Sequence, residues 1–191
     1  METLGKLFGS ETKVKIIRLF LFAPDAVFEG ATIASKVDED ISKVRRELSI
    51  LHKIAFLKRR MKKGRACFML NSNFSYLAPL HTFMTAGKPV SPKEMVKKIV
   101  GVGTVKLIVI AGLFIKNPDS RVDLLVVGDN MVKHKLTKVL KHIEAEIGRE
   151  IRYAYFETSD FLYRIDIYDK LVRDILDYPH EKLVNKLALL D

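Results

Sequence analysis

Cysteine is almost absent from this chain, and Cys67 is the only one among 191 residues. A lone cysteine excludes an intramolecular disulfide, so nothing suggests a disulfide-stabilised secreted domain, and Cys67 is expected to be a small core residue. The sequence also lacks a long apolar run, since the longest, at 107–115, is far too short to span a bilayer. The N-terminus lacks the apolar stretch of a signal peptide. We therefore expect a cytoplasmic protein with no membrane partner.

Acidic residues are fewer than basic ones, with 23 Asp and Glu against 33 Lys and Arg, for a formal net charge of +10. The imbalance is uneven along the chain. Residues 1–88 hold 16 basic and 8 acidic residues, whereas residues 89–191 hold 17 and 15. A concentrated positive charge attracts polyanions. The first half of the chain is therefore predicted to meet one.

The segment 40–53 predicts an amphipathic helix. Asp40 is placed to accept hydrogen bonds from the amides of the first turn. An apolar stripe recurs at helical spacing and consists of Ile41, Val44, Leu48 and Leu51. The side chains on the opposite face are basic or hydroxylic, which suits phosphate oxygens and base edges; they are Ser42, Lys43, Arg46, Ser49 and Lys53.

A β-hairpin is predicted from about Phe56 to Leu70. Its tip is the basic tetrapeptide 62–65, in which Gly64 can adopt a positive φ. Upstream, we expect a helix that begins at the N-cap Ser10, a short strand at 26–28 that joins the hairpin, and a short helix at 32–37. A basic-faced helix followed by a basic hairpin predicts a winged helix-turn-helix domain at 1–88.

The stretch from Leu7 to Leu70 resembles ArsR-like winged-helix transcriptional regulators. The resemblance is carried by Leu7-Phe8-Gly9-Ser10 at the start of the first predicted helix and by Val44-Arg45-Arg46-Glu47-Leu48 in the third. It implies that the third helix enters the major groove of duplex DNA and contacts it through Ser42, Lys43, Arg45, Arg46 and Ser49. It also implies that the wing holds phosphates through Arg59, Arg60, Lys62, Lys63 and Arg65. Metal-sensing members carry a cysteine pair on that third helix, which this chain lacks, so we expect no metal.

An apolar stripe at 76–84 predicts a further helix, ended by Gly87 and Pro89. Its members are Tyr76, Leu77, Leu80, Phe83 and Met84. Such a helix either pairs two subunits or packs on its own domain, and both alternatives remain open. We expect a homodimer with Tyr76, Leu80 and Phe83 as its contacts, because two subunits place two recognition helices on one face of DNA.

Residues 89–92 predict a linker, and residues 91–191 predict a small α/β domain. Ser91 is expected to cap a helix, followed by a strand at 105–111 of the kind buried on both faces. A turn at 117–120, a strand at 122–127, a helix at 131–147 ended by Gly148, and a strand at 151–156 follow. One last long helix is expected from the cap Ser159 to just before Pro179. The predicted fold class is α+β.

Residues 104–156 look like a minimal nucleotidyltransferase fold, on the strand 105–111, Gly112 and the segment 120–128. In active members of that family a serine follows the glycine. Several carboxylates then hold Mg²⁺ against the phosphates. Here Leu113 follows Gly112, Arg121 replaces the first aspartate, and Asp123 alone remains. The resemblance therefore implies a vestigial nucleotide site formed by Gly112, Arg121 and Asp123, with no cofactor. Asp123 is expected to pair locally with Arg121.

These patterns together predict a sequence-specific, DNA-binding transcriptional regulator that is not an enzyme. Its second domain would serve as a platform, or would hold a small anionic effector. One alternative is an active nucleotidyltransferase of the toxin–antitoxin type that is targeted by a winged helix. Another is a protein–protein scaffold. The shortage of carboxylates argues against the first alternative, and the concentration of positive charge argues against the second.

Overall fold

The computed structural model describes residues 2–86, 90–117 and 119–187. It is a mixed α+β structure with two small sheets, which confirms the predicted class. The chain divides into two compact units. The first comprises residues 1–90 and 141–149, and the second comprises residues 91–140 and 150–191.

Five helices lie in the described part of the N-terminal segment of the first unit, residues 2–86 and 90. They are α1 (Glu2–Phe8), α2 (Glu11–Phe22), α3 (Gly30–Val37), α4 (Ile41–Lys53) and α5 (Leu77–Ala86). Helix α2 begins after the predicted N-cap, because Ser10 Oγ accepts a hydrogen bond from the Lys13 amide at 3.2 Å. Helix α1 was not predicted.

Helix α4 matches its sequence pattern. Asp40 is its N-cap and accepts the Ser42 amide at 2.7 Å. Hydrogen bonds from the Ser42 hydroxyl and amide lower the pKa of Asp40. On the inner face, Val44, Leu48 and Leu51 are buried and belong to the core of the first unit.

The first sheet contains the predicted hairpin. Strands β1 (Val27–Glu29), β2 (Leu57–Lys62) and β3 (Arg65–Leu70) are antiparallel in the order β1-β3-β2. Lys62 pairs with Arg65, so the turn has two residues, Lys63 and Gly64, with φ of 48° and 75°. Positive φ at both positions is the geometry whose twist matches a two-residue hairpin. Cys67 is buried, as expected.

Helix α5 packs its own domain only in part. Met84 is buried, and Leu77 and Leu80 lie against the core of the first unit. By contrast, Tyr76, just before the helix, is 69% exposed and Phe83 is 48% exposed. The expected helix end at Gly87 and Pro89 lies outside the described residues.

The second unit is built on a four-stranded sheet. Its elements in chain order are α6 (Pro92–Val100), β4 (Thr104–Ile110), β5 (Leu124–Asp129), α7 (Lys133–Ile147), β6 (Tyr153–Phe156), α8 (Thr158–Asp166), α9 (Lys170–Asp177) and β7 (Glu181–Asn185). The strand order is β6-β5-β4-β7, with β5 and β6 parallel and the other pairs antiparallel. The two central strands are the most apolar, and Leu107, Ile108 and Val109 are completely buried. Residues 141–147 of α7 group with the first unit.

Three predictions for this unit need correction. The single long helix after Ser159 is wrong, because the chain breaks into α8 and α9 at Tyr168, whose φ is 57°. Asp169 starts α9 by accepting the amides of Leu171 and Val172. The N-cap of α8 is Glu157 instead of Ser159. Ser91 does occupy the N-cap of α6, but its side chain makes no capping hydrogen bond.

Strand β7 was also missed. Its sequence, Glu-Lys-Leu-Val-Asn, has only two apolar residues and gives too weak a local signal for a strand. It forms because it pairs with the exposed edge of β4. None of the helices in the described ranges is both long enough and apolar enough to cross a membrane.

Candidate nucleic-acid interface

The outer face of α4 carries the predicted polar set. Every member is exposed to solvent, namely Ser42, Lys43, Arg45, Arg46, Ser49 and Lys53. They are held outward because the opposite face of the helix is buried in the core. The Ser42 hydroxyl is already engaged, since it donates to the carboxylate of Asp40.

Ion pairs divide these cations into two groups. Lys43 lies 3.7 Å from Glu39, and Arg46 lies 3.6 Å from Glu47. Arg45 and Lys53 have no ion pair within the described ranges. In both pairs the carboxylate is largely buried, whereas the Lys43 and Arg46 side chains are themselves mostly exposed.

Two buried ion pairs support α4 from behind. Glu47 is only 2% exposed, and its carboxylate lies 3.6 Å from Lys13 of α2. Lys15, also of α2, donates to Glu39 at 2.7 Å. These contacts tie α2 to α4 and to the turn before it. Sequence reasoning missed Glu47, although positions 44, 47, 48 and 51 follow the helical spacing of an inner face.

Strand alternation separates the wing cations, which were predicted to act together. Residue pairs on one face of a hairpin alternate with pairs on the other. Arg59 pairs with Phe68, and Arg60 pairs with Cys67. Arg59 therefore lies on the opposite face of the hairpin from Lys58, Arg60 and Lys62, and Lys63 lies at the tip. Arg65 donates to Glu29 of β1 at 3.0 Å.

A groove of about 680 Å³ lies between α4, the start of α3 and the hairpin. Polar side chains line it from both sides; they are Arg45, Ser49 and His52 of α4, and Arg59 and Arg65 of the hairpin. Apolar contact comes from Ile41, Leu48 and Phe68. Glu29 is the one carboxylate among its lining residues, and it is paired with Arg65. The groove thus combines cations on both walls with apolar surface.

His52 was not predicted as part of this surface. Its Nδ1 lies 3.0 Å from the carbonyl oxygen of Leu57. A carbonyl only accepts hydrogen bonds, so Nδ1 carries the proton and donates. This contact links the end of α4 to the start of the hairpin. The hydrogen bond does not involve Nε2, and the His52 side chain lines the groove.

The predicted vestigial site of the second unit is closed by its own side chains. Asp123 is 3% exposed, and its Oδ1 accepts the Leu113 amide at 2.8 Å and Arg152 Nη2 at 3.0 Å. Its Oδ2 accepts the Arg152 amide at 2.9 Å and Arg152 Nε at 3.2 Å. Gly112 lies against this carboxylate, and a Cβ added there would collide with Oδ1. The structure brings Gly112 and Asp123 together.

Arg121 does not join them. Its guanidinium Nε lies 2.9 Å from Asp174 of α9, so the expected pair between Arg121 and Asp123 is wrong. Arg121 and Asp123 both precede β5, and each pairs with a residue distant in sequence instead of with the other. Arg152, the true partner, carried no sequence signal. No group of three or more metal-ligating side chains occurs among residues 2–86, 90–117 and 119–187.

No family model, no curated protein and no solved structure matches this chain.

The Asp123 contacts generate a prediction about stability. Burial alone raises the pKa of Asp123, but hydrogen bonds from the Arg152 guanidinium and from the Leu113 and Arg152 amides outweigh it and lower the pKa. Asp123→Asn should destabilise the chain by about 2–4 kcal/mol, because its amide NH₂ would face donors and leave them unsatisfied. Chemical denaturation at neutral pH measures this difference.

The stability difference between the two proteins should also depend on pH. A carboxyl whose folded pKa lies below its unfolded value of about 3.9 stabilises the fold above that pH and loses this contribution as the pH falls through the folded pKa. The difference in the free energy of unfolding between the wild type and Asp123→Asn should therefore become smaller as the pH falls into the acid range. Asp119→Asn, at an exposed position, is the control and should change stability by less than about 0.5 kcal/mol. Equal stability of Asp123→Asn and the wild type would contradict the structural role.

Proposed function

We propose that this chain is a sequence-specific, DNA-binding transcriptional regulator. In this proposal the first unit is a winged helix-turn-helix domain, with α4 as the recognition helix and the β2–β3 hairpin as the wing. The observation that carries it is a set of cations on α4 and the hairpin that have no ion pair within the described ranges. They are Arg45, Lys53, Lys58, Arg59, Arg60, Lys62 and Lys63. Duplex DNA is the partner whose charge density matches such a set.

Different side chains would make different contacts with the DNA. Arg46 and Ser49 lie near the middle of the exposed face of α4, where base edges in a major groove would be within reach. Arg45 and Arg59 line opposite walls of the groove between helix and hairpin. A sugar-phosphate strand lying there would meet both guanidinium groups and the apolar floor. Lys62 and Lys63 would contact phosphates beyond the tip.

The second unit is proposed to be a catalytically degenerate, nucleotidyltransferase-like domain that serves as a platform. Transfer of a nucleotidyl group needs metal ions that neutralise charge on the phosphates. The one carboxylate at the expected position is occupied by Arg152 and two backbone amides, which leaves it unsuited to a metal ion. This observation favours the degenerate domain over an active enzyme.

A homodimer is proposed to place two α4 helices on one DNA face. Support comes from the exposed aromatic side chains of Tyr76 and Phe83. Phe83 also lies next to Phe8 of α1, with ring centroids 6.3 Å apart, and Leu7 beside it is 66% exposed. Leu80 is a weaker candidate contact than the sequence suggested, because it packs against the core of its own unit.

The DNA-binding proposal predicts two distinct mutational effects. Replacing Lys62 and Lys63 by Ala should weaken binding to all duplexes alike and reduce the salt slope by about 1–2, because each neutralised phosphate contributes about 0.9. Arg46→Ala should instead relax base preference by about 1–3 kcal/mol at one position. Fluorescence anisotropy with specific and random duplexes over a salt series measures both. Lys93→Ala with Lys97→Ala, on exposed positions of α6, is the matched control. The DNA-binding proposal fails if neither variant differs from that control in affinity, salt slope or base preference.

The dimer proposal predicts that Tyr76→Glu with Phe83→Glu yields a folded monomer with weaker DNA binding. Charge at an apolar interface is costly to bury, whereas both side chains are exposed in the single chain and can be changed without opening its core. Sedimentation equilibrium gives the oligomeric state. Tyr163→Glu, at a 62% exposed position of α8, is the control. A wild-type protein that stays monomeric at high micromolar concentration, free and on DNA, would disprove the proposal.

The platform proposal predicts no nucleotidyl transfer. Incubation with each labelled nucleoside triphosphate and Mg²⁺ or Mn²⁺ should label neither the protein nor added DNA or protein acceptors above a heat-denatured control. The physical reason is that Asp123, the carboxylate at the expected position, already accepts hydrogen bonds from Arg152 and the Leu113 amide. Labelling by the native protein that is lost in Asp123→Ala, with folding checked by circular dichroism, would favour the enzyme.

A further inference from the structure

The first ten residues of α7 hold the positive charge of the second half of the chain. The segment 133–142 has four lysines, two histidines and no acidic residue. Residues 89–191 outside this segment have 13 basic and 15 acidic residues, so they are slightly acidic as a whole. The excess of positive charge in this half is therefore a property of one helix.

The lysines lie on the solvent side of that helix. Leu136, Leu140 and Ile143 form its buried stripe and are at most 4% exposed. At about 100° per residue, Lys138 and Lys141 point away from this stripe, and Lys133 and Lys135 flank it. All four lysines are exposed.

Neither ion pairing nor helix stability explains these charges. Within the described ranges none of the four lysines has an ion pair. Lys133 and Lys135 lie in the first turn, which has no acidic residue, while Glu144 lies in the last turn. This order opposes the helix macrodipole, which favours acidic side chains at the start and basic ones at the end. The helix would be more stable with the charges exchanged.

We propose that this face of α7 binds the phosphate backbone of duplex DNA as a second contact, separate from α4 and the hairpin. Lys133 and Lys141 are about 12 Å apart along the helix axis, a length over which one DNA strand presents about three to four phosphates. Lysine is a flexible point charge that contacts phosphate without the fork geometry that recognises a base. The contact would therefore add affinity without sequence preference. This goes beyond the proposed function, in which α4 and the hairpin make the DNA contacts.

The test replaces Lys133, Lys135, Lys138 and Lys141 together by Gln, which has a helix propensity similar to that of Lys. The control replaces Lys93, Lys97, Lys170 and Lys186 by Gln, four exposed lysines of the same half that give the same change in net charge. The full chain is titrated with random-sequence duplex over a salt series. We expect the α7 variant to reduce the salt slope by about 2–4 and the control to change it much less. Thermal unfolding of both variants should match that of the wild type.

A second readout needs no mutation. Lysine acylation followed by mass spectrometry, with and without duplex, should show protection of the four α7 lysines and none of Lys93 and Lys97.

A salt slope equal to that of the control, together with unprotected α7 lysines, overturns the inference, and an acidic protein then becomes the better partner. If the Lys62 and Lys63 variant loses binding while the α7 variant does not, the proposed function stands and the inference fails. If only the α7 variant loses binding, the inference stands and the proposed interface fails. Absence of duplex binding by the wild type overturns both.

Discussion

The burial of one side of α4 is the constraint on which the candidate interface depends. Val44, Leu48 and Leu51 are at most 1% exposed and fill the core of the first unit. A helix with three buried positions at this spacing has no freedom to rotate about its axis, so its remaining positions must face solvent. Sequence alone thus commits the polar residues of α4 to a common surface. The hairpin then adds its own cations next to that surface.

Buried carboxylates have a different role in each unit. Glu47 lies behind the candidate interface, where Lys13 of α2 and the exposed Arg46 both approach it. It therefore connects the core to a side chain that faces solvent. Asp123 is buried and is held by Arg152 and the amide of Leu113. Its hydrogen bonds hold the segments around Leu113 and Arg152 together.

Unpaired cations are more informative about function than the total charge. The chain pairs many of its charges internally, as in Lys15 with Glu39 and Arg121 with Asp174. Within the described ranges, cations without an ion pair form groups on α4, on the hairpin and on the solvent face of α7, and others, such as Lys93 and Lys170, lie elsewhere. Leaving a cation unpaired near others costs electrostatic free energy, and a polyanion offsets that cost on binding.

Local signals in the sequence determined the elements of the first unit from α2 to α5 and their faces. The caps at Ser10 and Asp40, the stripe of α4 and the turn at Gly64 each depend on neighbours a few residues away. Tertiary structure decided what depends on residues far apart in the chain. It made a strand of residues 181–185 by pairing them with β4, and it gave Asp123 the partner Arg152 in place of Arg121. The physical reason is that periodicity and capping act within a turn or two of chain, whereas pairing, register and ion-pair choice are set by which distant segments the folded core brings together.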